Sequence, residues 1–185
     1  MSLHRDATDT LTGWTAPDAI QDELRHYYLR HLASYSDAVW RERLPEHLTA
    51  SALVVSHDAS RVLLNLHGKV RRWLQFGGHC EPGDATLAGA ALRETREESG
   101  VTGLELDSVP VQLSRHAVRC GGGTSYHLDV QFVAVAPPGA EPVCSDESDE
   151  VRWFGVDDLP SDADEAVLDL VRRSLARHAQ RRQTV

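Results

Sequence analysis

Residues 77–101 constrain the fold of this sequence more than any other stretch. They begin with a loop that contains Gly77, Gly78 and Gly83 and continue into residues 85–99, which have the spacing of a helix. Asp84 is predicted as the N-cap of this helix, and Gly100 stands where a C-terminal cap is expected. A glycine-rich loop that leads into a helix N-terminus favours the close approach of an anion such as phosphate.

Three carboxylates share one face of this predicted helix. Residues three and four apart are neighbours on a helix, so Glu94 meets both Glu97 and Glu98, and Arg93 lies four residues before Glu97. The opposite face is apolar enough to pack on a sheet and consists of Leu87, Ala88, Ala91, Leu92 and Thr95. From the residues alone, the acidic face is either a solvated surface or a set of hard oxygen ligands for Mg²⁺ or Mn²⁺.

The segments around this helix have the patterns of short strands. Residues 52–56 and 62–66 predict a hairpin, residues 73–76 and 152–156 predict short strands, and residues 111–118 and 126–136 predict longer ones. Residues 162–181 predict a final amphipathic helix. Strands with one helix between them and helices at each end predict an α/β or α+β sandwich with a mixed sheet.

The N-terminal residues predict a helical extension. Residues 1–16 are polar and predict a frayed lead-in, whereas apolar residues after Pro17 have helical spacing. A short second helix is predicted at residues 36–44, with Ser36 as its cap. The sequence thus predicts an N-terminal extension over residues 1–46 and a main domain over residues 47–181. The extension either covers the core or serves as a lid or dimer contact.

Composition excludes several classes of partner. The chain has 185 residues, enough for one domain, and a formal net charge of −9, from 19 Lys and Arg against 28 Asp and Glu. An acidic chain lacks the cationic surface that nucleic-acid backbones require, so no nucleic-acid partner is expected. The longest apolar run is about five residues, which is too short to cross a membrane.

The cysteines and the N-terminus indicate the compartment. The three cysteines include no CxxC pair and suit reduced thiols better than a disulfide framework. The first 17 residues contain no apolar segment typical of a signal peptide. We therefore expect a cytoplasmic protein.

The stretch at residues 77–101 resembles the Nudix box, the signature of hydrolases that act on nucleoside diphosphates linked to another moiety. The Arg-Glu…Glu-Glu core is intact in Arg93, Glu94, Glu97 and Glu98. Three positions depart from the family pattern: Asp84 stands where Glu is usual, eight residues rather than seven precede Arg93, and Thr95 replaces an aliphatic residue. The segments on either side, about residues 49–156, also resemble the rest of the Nudix fold.

The resemblance implies a Nudix-type α/β/α sandwich and hydrolysis of a diphosphate linkage with Mg²⁺ or Mn²⁺. Carried over to this sequence, it makes Glu94, Glu97 and Glu98 the metal ligands. Arg93 would orient Glu94 or Glu97, and Gly78 with the loop amides would approach phosphate or metal. The substrate would be a small nucleotide-type diphosphate: a nucleotide, ADP-ribose, a dinucleoside polyphosphate or a sugar nucleotide. Homodimers are common in the family, so the resemblance also makes a homodimer one possible state of this chain.

The general base varies between Nudix enzymes, so two locations are open here. It is either a glutamate of the box, Glu97 or Glu98, or a glutamate from the loop before the last strand. That loop covers residues 144–150 and offers Glu147. An ordinary acidic, solvated loop would have the same composition.

Candidate substrate-binding residues lie on the two long strands and in a basic loop. His127 and Asp129 alternate with apolar residues, and a hairpin that joins the apolar faces brings His116 near one of them. Such a polar face either binds a phosphate or a base, or forms a buried network. Arg72 lies with Lys69 and Arg71 in a loop that either meets phosphates or is simply solvated.

Three alternative interpretations concern some of the same residues. A structural zinc site is disfavoured because its candidate ligands lack paired short spacings; they are His79, Cys80, His116, Cys120 and His127. Isopentenyl-diphosphate isomerases share the fold and use a cysteine, for which Cys80 is a candidate. A Nudix domain that has lost catalysis would act as a ligand-sensing module, but all three box glutamates are present.

Overall fold

The computed structural model of the chain describes residues 2–120, 123–144 and 148–183. Within these residues it contains four helices: α1 (Leu3–Gly13), α2 (Ala19–Ser34), α3 (Leu87–Ser99) and α4 (Glu165–Gln183). The seven strands are β1 (Glu46–Val55), β2 (Arg61–His67), β3 (Trp73–Leu74), β4 (Phe76–His79), β5 (Glu105–Cys120), β6 (Gly123–Val135) and β7 (Ser148–Gly155). None of the described helices has the length and apolar character needed to cross a membrane.

The strands form one curled, mixed sheet with β1 at its centre. Five strands follow the order β3-β2-β1-β6-β5, while β4 pairs with β1 and β7 pairs with β2. The β1–β6 pair is parallel over the whole of β1, from Glu46 opposite Tyr126 to Val55 opposite Val135. The β5–β6 pair is a long antiparallel hairpin. The mixed sheet and the α+β class are therefore as predicted.

The two faces of β1 pack against different helices. Leu48, Ala50 and Ala52 lie in a core that also contains buried residues of α1, α2 and α3. Leu53 and Val55 point to the opposite face, where they join a second core with apolar residues of α4. Because side chains alternate along a strand, one central strand supplies both cores. This arrangement confirms the predicted α/β/α sandwich.

Helix α1 occupies the segment that was predicted to be frayed, so that prediction is wrong. Ser2 caps the helix by accepting a hydrogen bond from the backbone N of Arg5. Leu3, Ala7 and Leu11 are buried along one face, with the spacing of successive helical turns. The segment is polar on average, but this narrow apolar stripe is sufficient to hold it on the core.

The region between α1 and β1 differs from the prediction in two ways. Helix α2 forms with Asp18 as its cap, but Ile20, one of the apolar residues after Pro17, is 72% exposed. The second helix predicted at residues 36–44 is wrong, because this segment makes successive turns. A helix of so few residues is marginal by itself, and the turns instead bury Ala38 and Val39 in the core.

Helix α3 begins two residues later than predicted. Its N-cap is Thr86, whose hydroxyl accepts a hydrogen bond from the backbone N of Gly89 at 2.9 Å. Asp84, the predicted cap, lies outside the helix and accepts a hydrogen bond from the backbone N of Glu81 at 2.8 Å. Gly100 ends the helix in the left-handed conformation, as predicted.

Candidate active site

Helix α3 presents its acidic face away from the core. Its buried residues are Leu87, Ala90, Ala91, Thr95 and Ser99. The Thr95 hydroxyl donates to the backbone O of Ala91 at 2.6 Å, so a polar side chain is accommodated where the family pattern has an aliphatic one. The helix is regular over its whole length, so the extra residue of the spacer lies in the loop before it.

Arg93 is the centre of the hydrogen-bond network in this region. Its Nε and Nη2 atoms donate to the two carboxylate oxygens of Asp84, at 3.1 and 3.0 Å. Its Nη1 atom donates to Glu94 at 2.9 Å and to Glu97 at 3.1 Å. Nη2 also donates to the backbone O of His79 at 3.0 Å. One guanidinium thus joins strand β4, the loop and two of the three glutamates.

The third glutamate is held against β4. The backbone N of Gly77 donates to the Oε2 atom of Glu98 at 3.0 Å. At Gly78, a Cβ atom would lie 2.9 Å from the carboxylate carbon of Glu94. The strand therefore approaches Glu94 so closely that a side chain at residue 78 would displace its carboxylate. Glu94 and Glu98 therefore both contact β4, whereas Glu97 is joined to Glu94 through Arg93.

The three acidic groups that accept hydrogen bonds from Arg93 differ in their environments. Burial raises the pKa of Glu94, and the charge of Glu97 adds to this effect while Arg93 opposes it. Burial also acts to raise the pKa of Asp84, but the hydrogen bonds from Arg93 and Glu81 outweigh it and hold the pKa below its ordinary value. Glu97 is the most open of the three, with 60% of its side chain exposed. A cation beside Glu94 would favour its ionised form.

Histidines form a cluster next to this region. The rings of His47, His79 and His127 have their centroids 4.9–5.1 Å apart. The ring of His116 lies 5.5 Å from that of His127, which is its partner in the β5–β6 register. Of the histidines proposed from the sequence, His116 and His127 are therefore adjacent, and two others join them.

Asp129 lies two residues beyond His127 on β6 and is 3% exposed. Its carboxylate accepts hydrogen bonds from the Thr49 hydroxyl at 3.0 Å, the Ser51 hydroxyl at 2.7 Å and the Gln131 side-chain amide at 2.9 Å. These donors hold Asp129 within a buried polar network on the sheet. Its role as a substrate contact remains a prediction.

Comparison with known proteins identifies the family. A family model described as the NUDIX domain matches residues 45–174. The chain belongs to the NUDIX family. The match begins just before β1 and ends within α4, so it includes the entire sheet and the acidic helix. A comparison with curated proteins gives no significant match.

Solved structures of NUDIX proteins have the same fold. A NUDIX-family hydrolase from Clostridium perfringens is 23% identical, with a TM-score of 0.59, and the match covers 71% of this chain and 97% of that one. The C. elegans Ap4A hydrolase is 22% identical, with a TM-score of 0.57 and coverage of 72% and 98%. The NUDIX domain of Shewanella oneidensis NrtR, solved with ADP ribose, is 20% identical, with a TM-score of 0.55 and coverage of 82% and 97%.

Of two further residues proposed from the sequence, one lies away from the region around Arg93 and the other is outside the described residues. Arg72 lies in the turn between β2 and β3, and 62% of its side chain is exposed. Its guanidinium contacts Asp164, just before α4, at 3.4 Å. Glu147 lies outside the described residues. Both assignments remain predictions.

Sequence reasoning missed His47, Thr49 and Ser51 of β1. They alternate on one face of the strand, and the parallel register sets them opposite His127, Asp129 and Gln131 of β6. Both strands therefore carry polar residues at the same spacing of two inside otherwise apolar runs. This repeated alternation is visible in the sequence, but it indicates a shared polar face only once β1 and β6 are known to pair.

Proposed function

We propose that this NUDIX protein hydrolyses a diphosphate linkage in a small nucleoside diphosphate derivative. Membership of the family and the hydrolases among its structural neighbours support a Nudix pyrophosphohydrolase. The observation that carries the proposal is that Glu94 and Glu98 both contact β4 while Arg93 bridges Glu94 and Glu97. An acidic face that was merely solvated would not need a glycine strand packed against its carboxylates.

The donor set fits Mg²⁺ or Mn²⁺. Both ions prefer carboxylate oxygens together with water and substrate phosphates, and Glu94, Glu97 and Glu98 would hold the ion here. A side chain at residue 78 would fill the space beside Glu94, so glycine keeps that space open. When bound, the ion would neutralise charge on the diphosphate and favour ionisation of an attacking water.

Arg93 is proposed to position the carboxylates rather than to react. Two of its donors are engaged by Asp84, and its remaining contacts fix Glu94 and Glu97 relative to β4. The Asp84 side chain is thus a partner of Arg93 in this structure, which gives a role to the shorter acid at this family position. Glu97 or Glu98 would serve as the general base, with Glu147 as the alternative.

The substrate-binding assignments rest on position. Gly78 lies beside Glu94, while His116, His127 and Asp129 form a polar patch on the opposite face of the sheet. Arg72 would meet the part of a substrate that extends toward the start of α4. The structural neighbours include an Ap4A hydrolase and a NUDIX domain solved with ADP ribose. Ap4A and ADP ribose both belong to the substrate class proposed for this chain.

The isomerase alternative is less well supported. Cys80 is 5% exposed and belongs to the apolar core around α3. Burial raises the pKa of its thiol to about 12. A thiol in this environment is a poor source of the thiolate or of a proton transferred to a substrate.

A phosphate-release assay tests the proposal. The panel would contain nucleoside triphosphates, ADP-ribose, dinucleoside polyphosphates and sugar nucleotides, each with Mg²⁺, with Mn²⁺ and with EDTA. We expect metal-dependent turnover of at least one class. We also expect a kcat at least about 100-fold lower in Glu97→Gln and Glu98→Gln.

Glu165→Gln is the matched control because Glu165 is a helical glutamate with 84% of its side chain exposed. It should turn over like the wild type. Wild-type kcat in both box variants would refute the carboxylate assignment. Saturable binding of a nucleotide without turnover of any compound would favour the sensing module.

A further inference from the structure

The histidine cluster differs chemically from the carboxylate site. His47 comes from β1, His79 from β4 and His127 from β6, and each contributes one ring nitrogen to a group whose members all lie within 4.8 Å of one another. These three strands are neighbours in the sheet, so backbone pairing fixes where each imidazole begins. A site built on strands is held more tightly than one built on loops.

The cluster contains buried ring nitrogens that make no hydrogen bond to the described residues. The Nε2 atoms of His47, His79 and His127 are all buried and have no hydrogen-bond partner among the described residues. Buried polar atoms are nearly always satisfied, and an unsatisfied one destabilises the fold. Three such nitrogens close together therefore point to a place where an ion or a polar ligand can bind.

The hydrogen bond of His47 fixes which nitrogen is available. Its Nδ1 atom lies 3.1 Å from the backbone O of Arg43, and a carbonyl oxygen only accepts, so Nδ1 is the donor. In the neutral ring the Nε2 atom then carries the free lone pair. A histidine held in this way by a backbone carbonyl is the usual arrangement for a metal ligand.

We propose that His47, His79 and His127 form a binding site for a divalent transition metal of the Zn²⁺ type, separate from the carboxylate site on α3. Imidazole nitrogen suits zinc, copper, nickel and iron, whereas Mg²⁺ prefers oxygen. Three histidines with a fourth position open to water or substrate are a known ligand set for zinc. Ligand nitrogens of a tetrahedral zinc site lie about 3.4 Å apart, given Zn–N distances of about 2.1 Å, so side-chain rotation would tighten the cluster by at most about 1.4 Å.

Burial of the cluster keeps its imidazole rings in their neutral form. Burial, together with the charges of neighbouring histidines, lowers the pKa of His79 to about 4 and that of His127 to about 3. The rings are therefore neutral near pH 7, which is the form that binds metal. The buried carboxylate of Asp129 lies two residues from His127 on the same face, about 7 Å along the strand, and supplies negative charge.

The site is also coupled to the proposed catalytic residues. The backbone O of His79 accepts a hydrogen bond from Arg93 at 3.0 Å, and the preceding residue, Gly78, lies against Glu94. A metal held by His79 would restrain β4 and therefore the contact between β4 and α3. We expect metal binding to raise the stability of the fold even when no substrate is present.

Zinc binding to the whole chain tests the proposal. The protein is stripped with EDTA, dialysed, and titrated with Zn²⁺ by calorimetry in excess Mg²⁺, which occupies oxygen-rich sites. We expect one zinc per chain. We also expect affinity at least about 100-fold lower in His79→Gln and His127→Gln. In His57→Gln, which changes an exposed histidine, binding should match the wild type.

Two further measurements keep the result clear. The wild-type melting temperature should rise by about 5 °C or more when free Zn²⁺ is about 100 times Kd, and this rise should be absent from both cluster variants. Co²⁺ should give the visible absorption of a tetrahedral nitrogen site in the wild type. Circular dichroism in EDTA checks whether the variants fold. If the variants do not fold, the wild-type zinc and cobalt data alone test the proposal.

Some outcomes would overturn the proposal. Absence of zinc binding to the wild type would do so, as would binding that both histidine variants retain. Zinc that is lost in Glu97→Gln but kept in His127→Gln would belong to the carboxylate site. Because this assay needs no substrate, its failure leaves the proposed hydrolase activity untouched, and a failure of hydrolysis leaves the zinc result untouched.

Discussion

Gly77 and Gly78 are adjacent in sequence but are required for different reasons. Gly77 has a φ of +154°, and a Cβ there would lie 2.2 Å from the Cβ of Ser51 on the neighbouring strand. At Gly78 the same atom would instead meet the carboxylate of Glu94. One glycine therefore permits the sheet to form, while the other leaves room for a flexible acidic side chain.

Gly78→Ala is expected to reduce activity while the fold is retained. The added methyl group would displace the end of the Glu94 side chain, which can move, so the unfolding free energy should change by about 1 kcal/mol or less. The displaced carboxylate should lower kcat about 10-fold or more. Steady-state kinetics and urea unfolding measure the two effects.

Gly77→Ala provides the comparison. Here the clash is with the backbone and Cβ of Ser51, so unfolding at lower urea should accompany any loss of activity. Equal loss of stability in the two variants would show that Gly78 is needed for folding alone.

At this scale the sequence predicted the acidic face correctly, because helical geometry fixes the spacing of Glu94, Glu97 and Glu98. It did not predict that Asp84 binds Arg93 through both carboxylate oxygens, since that contact depends on how the loop folds back over nine residues. His47 was missed for a similar reason. Its neighbours, His79 and His127, come from other strands.

At the scale of elements, the helices and strands were predicted where periodicity is strong. The hairpin, the two long strands and the helices after Pro17, before Gly100 and at the C-terminus are all present. The failures are short or polar segments. Burial of a few apolar residues in the core stabilises α1 and favours turns over a helix at residues 36–44. Local sequence carries little information about such burial.

Helix α4 is attached to the sheet through Asp107 of β5. The carboxylate, 7% exposed, accepts a hydrogen bond from the Nε atom of Arg177 at 2.6 Å, and Arg181 lies 3.8 Å away. Burial acts to raise the pKa of Asp107, but the hydrogen bonds from Arg177 and the backbone N of Val109 outweigh it and lower the pKa. The folded state thus favours the ionised carboxylate.

Asp107→Asn is expected to lower the unfolding free energy by about 1.5–3 kcal/mol at pH 7. Because the pKa of Asp107 is lowered by folding, its contribution is fully present above the ordinary value of about 3.9. The contribution disappears as pH falls through the lower folded pKa. The difference between wild type and variant should therefore shrink only below about pH 4. Urea unfolding between pH 7 and pH 3 measures this.

The matched control is Asp169→Asn, which removes a solvent-facing ion pair with Arg172 on the same helix. Its effect should stay below about 1 kcal/mol. If the two variants lose the same stability, the Asp107 contact has no special role in holding α4.

At the scale of the whole molecule, the N-terminal helix is physically linked to the acidic helix. The carboxylate of Asp6 on α1 accepts a hydrogen bond from the backbone N of Leu87, the first residue of α3, at 2.8 Å. Thr86 satisfies a second N–H in the same turn. Helix N-termini have unpaired N–H groups and favour negative charge. A segment 81 residues away in sequence therefore completes the cap of the helix that carries Glu94, Glu97 and Glu98.

Asp6→Ala is expected to destabilise the protein by about 0.5–2 kcal/mol, which corresponds to a fall in melting temperature of about 2–8 °C. The loss arises because the N–H of Leu87 is left without its partner while α1 keeps its apolar contacts with the core. Thermal unfolding of the full chain measures it. Asp9→Ala is the control, since Asp9 is on the same helix and its ion pair with Arg5 is exposed. If both variants melt together, α1 covers the core but does not cap the acidic helix. A selective loss in Asp6→Ala would instead make the N-terminal helix part of the scaffold that holds the proposed catalytic carboxylates in place.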